Sequence, residues 1–125
     1  MLSAFRGSMP ADQRKAESSR VLEKYPDRVP IICERAACHN TGSAMVPKLD
    51  KTKFLVPQDL TAGQFIYVIR KRLQLPPSQS LFIFIDGCIP PSSELLHSIY
   101  TRHKDGDGFL YVSYSGENTF GGGFI

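Results

Sequence analysis

The chain has 125 residues, of which 42% are hydrophobic and 22% are charged, with a formal net charge of +3 at pH 7. This length suffices for one domain whose core needs no metal or disulfide, and the small net charge argues against a nucleic-acid partner. No apolar run is long enough to cross a bilayer. The three cysteines form no C-x-x-C pair, which predicts a reducing compartment with neither a disulfide framework nor a zinc site.

The start of the chain predicts a helix and no secretory signal. The first residues, MLSAFRGSMPADQRK, hold no continuous apolar segment and reach Pro10 early, unlike a signal peptide. Helix-favouring residues dominate from Asp12 to Lys24, and Pro26 ends the segment because the residue before a proline avoids helical geometry. We therefore expect a cytoplasmic chain that opens with a largely polar helix.

Two strands are predicted next, separated by a loop of small residues at Ala36–Pro47. The first strand, Val29–Glu34, alternates between two apolar faces, formed by Val29, Ile31 and Cys33 on one side and by Pro30 and Ile32 on the other. Because a central strand needs every amide, Pro30 argues against a place in the middle of a sheet. The second strand, Thr52–Val56, is also apolar on both faces, through Phe54, Leu55 and Val56.

The sequence DLTAGQF opens the clearest helix. Thr61 and Gln64 have the spacing of a capping box, in which each side chain bonds a free backbone amide at the helix start. Apolar residues then recur at helical spacing, at Phe65, Val68, Ile69 and Leu73. Pro76-Pro77 ends the helix.

The last third of the chain predicts a strand, a short helix and a final strand. The run LFIFI, Leu81–Ile85, is apolar throughout and ends at Asp86-Gly87, which is typical of a strand buried on both faces. The stretch SSELLHSIY predicts a short helix with Ser92 or Ser93 as its cap. A DGDG turn leads into the strand Phe109–Ser115.

The order of these elements is helix, strand, strand, helix, strand, helix, strand. A hairpin, a helix across it and two more strands is the order of the β-grasp, or ubiquitin-like, fold, and short connections leave few other topologies. Because the first two strands are apolar on both faces, the face opposite the central helix also needs cover. The N-terminal helix is available to cover it.

The sequence carries no pattern of a catalytic or metal-binding protein. HKDGDG resembles the start of a calcium loop, but His103 and Tyr114 stand where a carboxylate and a bidentate glutamate are required. The cysteines, Cys33, Cys38 and Cys88, lack a motif that pairs them with a histidine and an orienting acid. We therefore predict no cofactor, no metal site and no enzymatic activity.

Dense motifs along the chain resemble one known family. The segments are KYPDRVPIICER, LDKTKFLVPQDLTAGQFIYVIRKRLQL, LFIFIDGCIPPSSELLHSIY and FLYVSYSGENTFG. They are similar to the autophagy-related-eight ubiquitin-like modifiers, which include the GABA-receptor-associated and microtubule light-chain branches. The resemblance runs from about Arg14 to Gly121. It implies an α+β, β-grasp core with a mixed four-stranded sheet and two additional N-terminal helices.

The resemblance also explains the end of the chain, ENTFGGGFI. It divides the chain into an N-terminal helical extension at 1–27, a core at 28–116 and a tail at 117–125. It implies cleavage after Gly121, which follows Phe120, and conjugation of the new carboxylate to phosphatidylethanolamine. A glycine string can enter the narrow clefts of the enzymes involved because it has no Cβ atoms. Cleavage after Gly123, which would remove only Phe124 and Ile125, is the alternative.

The family further implies a binding site at the exposed edge of the second strand, where partners add an extended segment. Main-chain pairing gives such a segment affinity, and alternate side chains give it selectivity. The aromatic pocket would comprise Glu17, Val21, Pro30, Ile32, Lys53, Leu55 and Phe109. The aliphatic pocket would comprise Phe54, Val56, Pro57, Leu60, Phe65, Val68, Ile69 and Arg72.

Core packing competes with a binding role for the apolar members of these sets, above all for Val56, Ile69 and Phe65. Ile32 and Leu55 are stronger candidates, since they point away from the face that the central helix covers. Four cations would meet acidic residues that flank the partner's motif, and these are Arg28, Lys51, Lys53 and Arg72. As exposed charges they would tune selectivity and association rate more than affinity.

The expected protein is a monomer in solution that is cytoplasmic and, once lipidated, lies on the autophagosome membrane. Its partners would be a processing cysteine protease, the activating and conjugating enzymes of the pathway, and receptor peptides. Two alternatives remain at this point. A sulfur carrier shares the fold and the use of a glycine carboxylate, and an unconjugated interaction module would keep the pockets but not need the tail.

Overall fold

The computed structural model describes residues 3–36 and 46–118. The helices are Ala4–Ser8 (α1), Ala11–Lys24 (α2), Ala62–Leu73 (α3) and Leu96–His103 (α4). The strands are Arg28–Arg35 (β1), Lys53–Pro57 (β2), Phe82–Phe84 (β3) and Leu110–Ser115 (β4). The predicted order of elements is confirmed. The resemblance implied the additional helix α1, which the residue pattern alone did not indicate.

The four strands form one mixed sheet in the order β2-β1-β4-β3. The central pair, β1 and β4, is parallel, whereas β1–β2 and β3–β4 are antiparallel. The capping box of α3 is present, with the Gln64 amide donating to the Thr61 hydroxyl and the Thr61 amide donating to the Gln64 side chain. This arrangement is the expected α+β β-grasp fold.

The two apolar faces of β1 serve two different cores. Val29, Ile31 and Cys33 join the main core, together with buried side chains of α3 and α4. Ile32 faces the other way and forms a smaller cluster with Phe5 and Phe109. Cover for the second face therefore comes in part from α1, which supplies Phe5, and not only from the predicted N-terminal helix.

The position of Pro30 corrects one prediction, because β1 is a central strand. The Cys33 amide donates to the Thr52 carbonyl across the β1–β2 pair, and hydrogen-bonded pairs alternate along an antiparallel ladder. The Pro30–Leu55 pair is therefore a non-hydrogen-bonded one, and the proline nitrogen faces β4. Pairing with β4 begins one residue later, at Ile31, so the missing amide costs no ladder bond.

The cap predicted for the short helix α4, Ser92 or Ser93, is wrong. This helix begins at Leu96, and Leu95 stands at the cap position without a side-chain hydrogen bond. The preceding segment is used by α3 instead. Its carbonyls accept the free amides at the start of that helix, from Ala62 to Glu94 at 2.9 Å and from Gly63 to Ser92 at 2.9 Å. The serines therefore lie outside the helix that they were expected to cap.

The strand predicted at Leu81–Ile85 is shorter than expected, at Phe82–Phe84. Ile85 leaves the β4 ladder and bonds Cys88 across a tight turn, amide to carbonyl in both directions. Ile83 and Phe84 are buried, but Phe82 is only half-buried because β3 is an outer strand. Leu81 and Ile85 are buried as well, so burial is confirmed for every residue of the predicted segment except Phe82.

The DGDG turn fastens α2 to the sheet through Asp107. Arg14 Nε lies 2.9 Å from Asp107 Oδ2, and the Tyr111 hydroxyl donates to the same oxygen at 2.5 Å. The Phe109 amide donates to Oδ1, and the Ser18 hydroxyl donates to the Asp107 carbonyl. Burial opposes ionisation of Asp107, but the hydrogen bonds from Tyr111, Phe109 and Arg14 to its carboxylate outweigh it and hold its pKa below the usual range.

Gly108 provides a test of this junction, since it combines a φ of +91° with close contact to α2. A Cβ at this position would lie 3.0 Å from Ser18 Cβ and closer still to its hydroxyl. We expect Gly108→Ala to lower the free energy of unfolding by about 2 kcal/mol, measured by urea denaturation.

Two glycines are matched controls. Gly87 has a φ of +78° but open space around it, and Gly106 has open space and no positive φ. The expected losses are about 1 kcal/mol for Gly87→Ala and within about 0.5 kcal/mol for Gly106→Ala. Equal losses at Gly108 and Gly87 would show that the contact with Ser18 contributes nothing.

Candidate binding site at the edge of the sheet

Among the residues that the structure describes, strand β2 lies at one edge of the sheet and pairs only with β1. By the same alternation that places the Thr52 carbonyl toward β1, the backbone groups of Lys53 and Leu55 face away from the sheet. The Arg28 guanidinium donates to the outward Leu55 carbonyl at 3.4 Å. This edge can therefore pair with a further extended segment.

The structure brings the predicted aromatic set together. In the β1–β2 register Lys53 is opposite Ile32 and Leu55 is opposite Pro30, so these four side chains share one face. Lys53 Nζ lies 2.6 Å from Glu17 Oε2, which ties this face to α2. Val21 is half-buried one helical turn beyond Glu17, and Phe109 belongs to the cluster around Ile32.

Burial divides this set into an open rim and a covered floor. Glu17, Val21 and Leu55 are half-buried and Lys53 is exposed. Ile32 points away from the face that α3 covers, as predicted, but it is 0% exposed beneath Phe5. Phe109 is covered in the same way, and the rings of Phe5 and Phe109 meet edge to face at 5.3 Å.

Half of the predicted aliphatic set is core. Val56, Phe65 and Ile69 belong to the main core, and the ring of Phe54 meets that of Phe65 edge to face at 6.0 Å. The core packing expected for Val56, Ile69 and Phe65 is confirmed. The more accessible members are Pro57 and Arg72, which are exposed, and Leu60 and Val68, which are half-buried.

Two of the predicted cations gather over Phe54. Lys51 Nζ lies 5.0 Å from the ring centroid, and Arg72 Cζ lies 5.7 Å from it. Asp50 lies 3.4 Å from the Arg72 guanidinium. These contacts keep two positive side chains beside the β2 edge, where each exposed pair contributes little to stability.

Of the two described cysteines, Cys33 is buried and Cys88 is exposed. Cys33 is fully buried in the main core, and burial raises the pKa of its thiol, with a smaller contribution from the charge of Glu34. A protonated, buried thiol is unreactive. Cys38 lies outside the described residues, as do Phe120 and Gly121 of the tail.

Sequence reasoning missed Phe5 as a residue of this site. The available signal was weak: Ser3 caps α1 by accepting the Arg6 amide, and Phe5 is the one buried side chain of a five-residue helix. A helix so short shows no apolar period, so neither its existence nor its buried face could be predicted from periodicity.

A β-grasp sheet with two helices before it and an open strand edge defines a ubiquitin-like protein with a candidate peptide-binding site. The sequence model of the family described as "Autophagy protein Atg8 ubiquitin like" matches residues 13–121. Autophagy-related protein 8 of Kluyveromyces marxianus is 55% identical over 122 residues, which are 98% of this chain and 94% of the relative. Its Candida glabrata counterpart is 53% identical over 121 residues, 97% of this chain and 98% of the relative.

Solved structures agree with these relatives. The crystal structure of Trypanosoma brucei ATG8 has a TM-score of 0.84 and 45% identity, covering 97% of this chain and 100% of that chain. Plasmodium falciparum Atg8 in complex with an Atg3 peptide from the same organism has a TM-score of 0.81 and 28% identity, covering 93% and 98%. The chain therefore belongs to the Atg8 family of ubiquitin-like autophagy proteins.

Members of this family are modifiers and not enzymes themselves, which confirms the prediction of no enzymatic activity. Membership also favours the modifier over the sulfur-carrier alternative. Within the two described stretches, no helix is both long and apolar enough to span a membrane.

Neighbouring residues of β2 should separate binding from stability. Val56 is 8% exposed in the main core, whereas Leu55 is half-buried on the opposite face. We expect Val56→Ala to lower the free energy of unfolding by about 2 kcal/mol, and Leu55→Ala by less than about 1 kcal/mol, in urea titrations. A larger loss for Leu55→Ala would assign that side chain to the core instead of the edge.

Proposed function

We propose that this protein is a ubiquitin-like modifier of autophagy that recruits partners bearing an aromatic-x-x-aliphatic motif. Its own carboxylate, freed by cleavage after Gly121, is joined to phosphatidylethanolamine on autophagosomal membranes. The observation that carries the recruitment step is the β2 edge, with outward backbone groups and a candidate pocket on each face of the strand. Family membership supports the conjugation step.

The spacing of the partner motif fits this edge. In an extended segment, residues three apart point to opposite faces of the sheet, because side chains alternate with a period of two. Lys53 and Leu55 lie on one face of β2, and Phe54 and Val56 lie on the other. An added strand would thus direct its aromatic side chain toward Pro30 and Leu55, and its aliphatic one toward α3.

The charges at the edge favour acidic flanks on the partner. Arg28, Lys51, Lys53 and Arg72 all lie on or beside β2. Lys53 is paired with Glu17 and Arg72 with Asp50, so an acidic partner competes with these intramolecular pairs. Such rim charges act mainly on the association rate and on selectivity, and their effect falls as salt rises.

The enzymes of conjugation are the other proposed partners. The related Plasmodium falciparum Atg8 was solved with a peptide of Atg3, which supports a conjugating-enzyme segment as one ligand of this chain. A processing cysteine protease and an activating enzyme would act before it. The protein would be a cytoplasmic monomer until the lipid places it on the autophagosome membrane.

The recruitment step is tested with a peptide that carries the aromatic-x-x-aliphatic motif between acidic residues. Leu55→Ala removes a wall of the aromatic pocket and should weaken binding by about 1–3 kcal/mol in isothermal titration calorimetry. Tyr67→Ala is the matched control, because Tyr67 is 61% exposed on α3 and belongs to neither set. Unchanged affinity in a folded Leu55→Ala variant would place the binding site elsewhere.

The conjugation step is tested at the tail. Gly121→Ala should block both processing and lipid attachment, because a Cβ would obstruct the narrow cleft that must admit this residue. Gly123→Ala should be processed normally, since it lies on the leaving side of the cut. Intact mass spectrometry of protein recovered from cells reports cleavage and lipid together.

The reverse pattern, or a mature chain that ends in Gly123, would move the cut site. A chain that is recruited to membranes without cleavage or lipid would instead identify an unconjugated interaction module.

A further inference from the structure

Phe5 lies on the floor of the candidate aromatic pocket, which Ile32 and Phe109 form. Its side chain is 7% exposed and packs in one cluster with Ile32 and Phe109. Lys53 Nζ, which is bound to Glu17, lies 5.3 Å from the centroid of the Phe5 ring. The chain thus places one of its own aromatic rings against three side chains assigned to a partner's aromatic anchor, Ile32, Lys53 and Phe109.

The helix that carries Phe5 is held by a few polar contacts. The Ser3 hydroxyl and the Phe5 amide both donate to the carboxylate of Glu34. Arg6 pairs with Asp105 at 2.8 Å and lies over the ring of Tyr111. Because a helix of five residues is not stable alone, the place of α1 depends on these contacts and on Phe5 itself.

We propose that Phe5 is an internal ligand of the aromatic pocket, which a partner's aromatic side chain displaces. This inference rests on the proposed function. Phe5 also shows what the floor accepts, namely a ring set edge to face against Phe109 beside an ammonium group. A partner reaches this surface only in molecules from which Phe5 has left it. The apparent affinity is therefore the intrinsic affinity multiplied by the fraction of such molecules.

The first test measures the affinity of the acidic, motif-bearing peptide for the full chain and for Phe5→Ala. Removing the competitor should tighten binding by about three- to tenfold. Equal or weaker binding by the variant would overturn the inference and make Phe5 a plain wall of the pocket. Circular dichroism and urea denaturation establish that the variant is folded.

Glu34→Ala provides a second variant that keeps the ring. It removes both acceptors that hold the start of α1, so it should also tighten binding, by about two- to fivefold. Tyr67→Ala again serves as a control without effect. Tightening at neither Phe5 nor Glu34 would refute the displacement.

A direct readout uses Phe5→Trp, because the chain has no tryptophan of its own. Binding of a peptide whose anchor is phenylalanine should shift the emission to longer wavelength as the indole enters water. The same peptide with alanine as anchor should leave the emission unchanged. An unshifted spectrum at saturation would mean that the ring stays in place.

The outcomes separate the two proposals. If neither the wild-type chain nor any variant binds the peptide, the proposed recruitment function fails. If the wild-type chain binds but Phe5→Ala binds no more tightly, only the internal ligand is refuted.

Discussion

The buried carboxylate of Asp107 is the contact on which the geometry of the candidate site depends. The carboxylate accepts hydrogen bonds from Arg14 of α2 and from Tyr111 of β4. The backbone carbonyl of Asp107 accepts one from Ser18 of α2. Burial and the hydrogen bond to Asp107 raise the pKa of Tyr111 to about 12, so the phenol remains a donor. One turn thereby joins α2, which carries Glu17, to β4 of the sheet.

The same junction links α1 to the rest of the molecule. Arg14 Nη1 donates at 2.8 Å to the carbonyls of Arg6 and Met9, at the end of α1. Burial of the Arg14–Asp107 ion pair costs desolvation, so the pair contributes to orientation more than to net stability. The end of α1 is fastened to α2, while the Ser3 hydroxyl and the Phe5 amide at its start are held by Glu34. This asymmetry would let Phe5 leave the floor without release of the whole segment.

Local patterns predicted the elements well where one face decides the structure, as in the alternation of β1 and the capping box of α3. They failed where a partner elsewhere in the chain decides. The proline rule holds only where the neighbouring strand extends as far as the missing amide, and the sequence does not show that pairing with β4 begins one residue after Pro30. The serines before α4 looked like caps, but the backbone around them is used by α3. Phe5 lies in a helix too short to have a period. Within the candidate site, the alternation of side chains along β2 was predictable from the sequence. The covering of Ile32 by Phe5 was not.

Strand β2 combines a core wall and a candidate binding edge through its alternation alone. Phe54 and Val56 pack into the main core, and Lys53 and Leu55 lie on the other face. Their outward backbone groups offer any extended partner the same hydrogen bonds, so selectivity must come from side chains. Those side chains are free to vary only at the positions that the core does not use. On the face of Lys53, Phe5 packs against the smaller hydrophobic cluster that includes Ile32. The aromatic pocket is therefore the place where folding and recognition use the same surface.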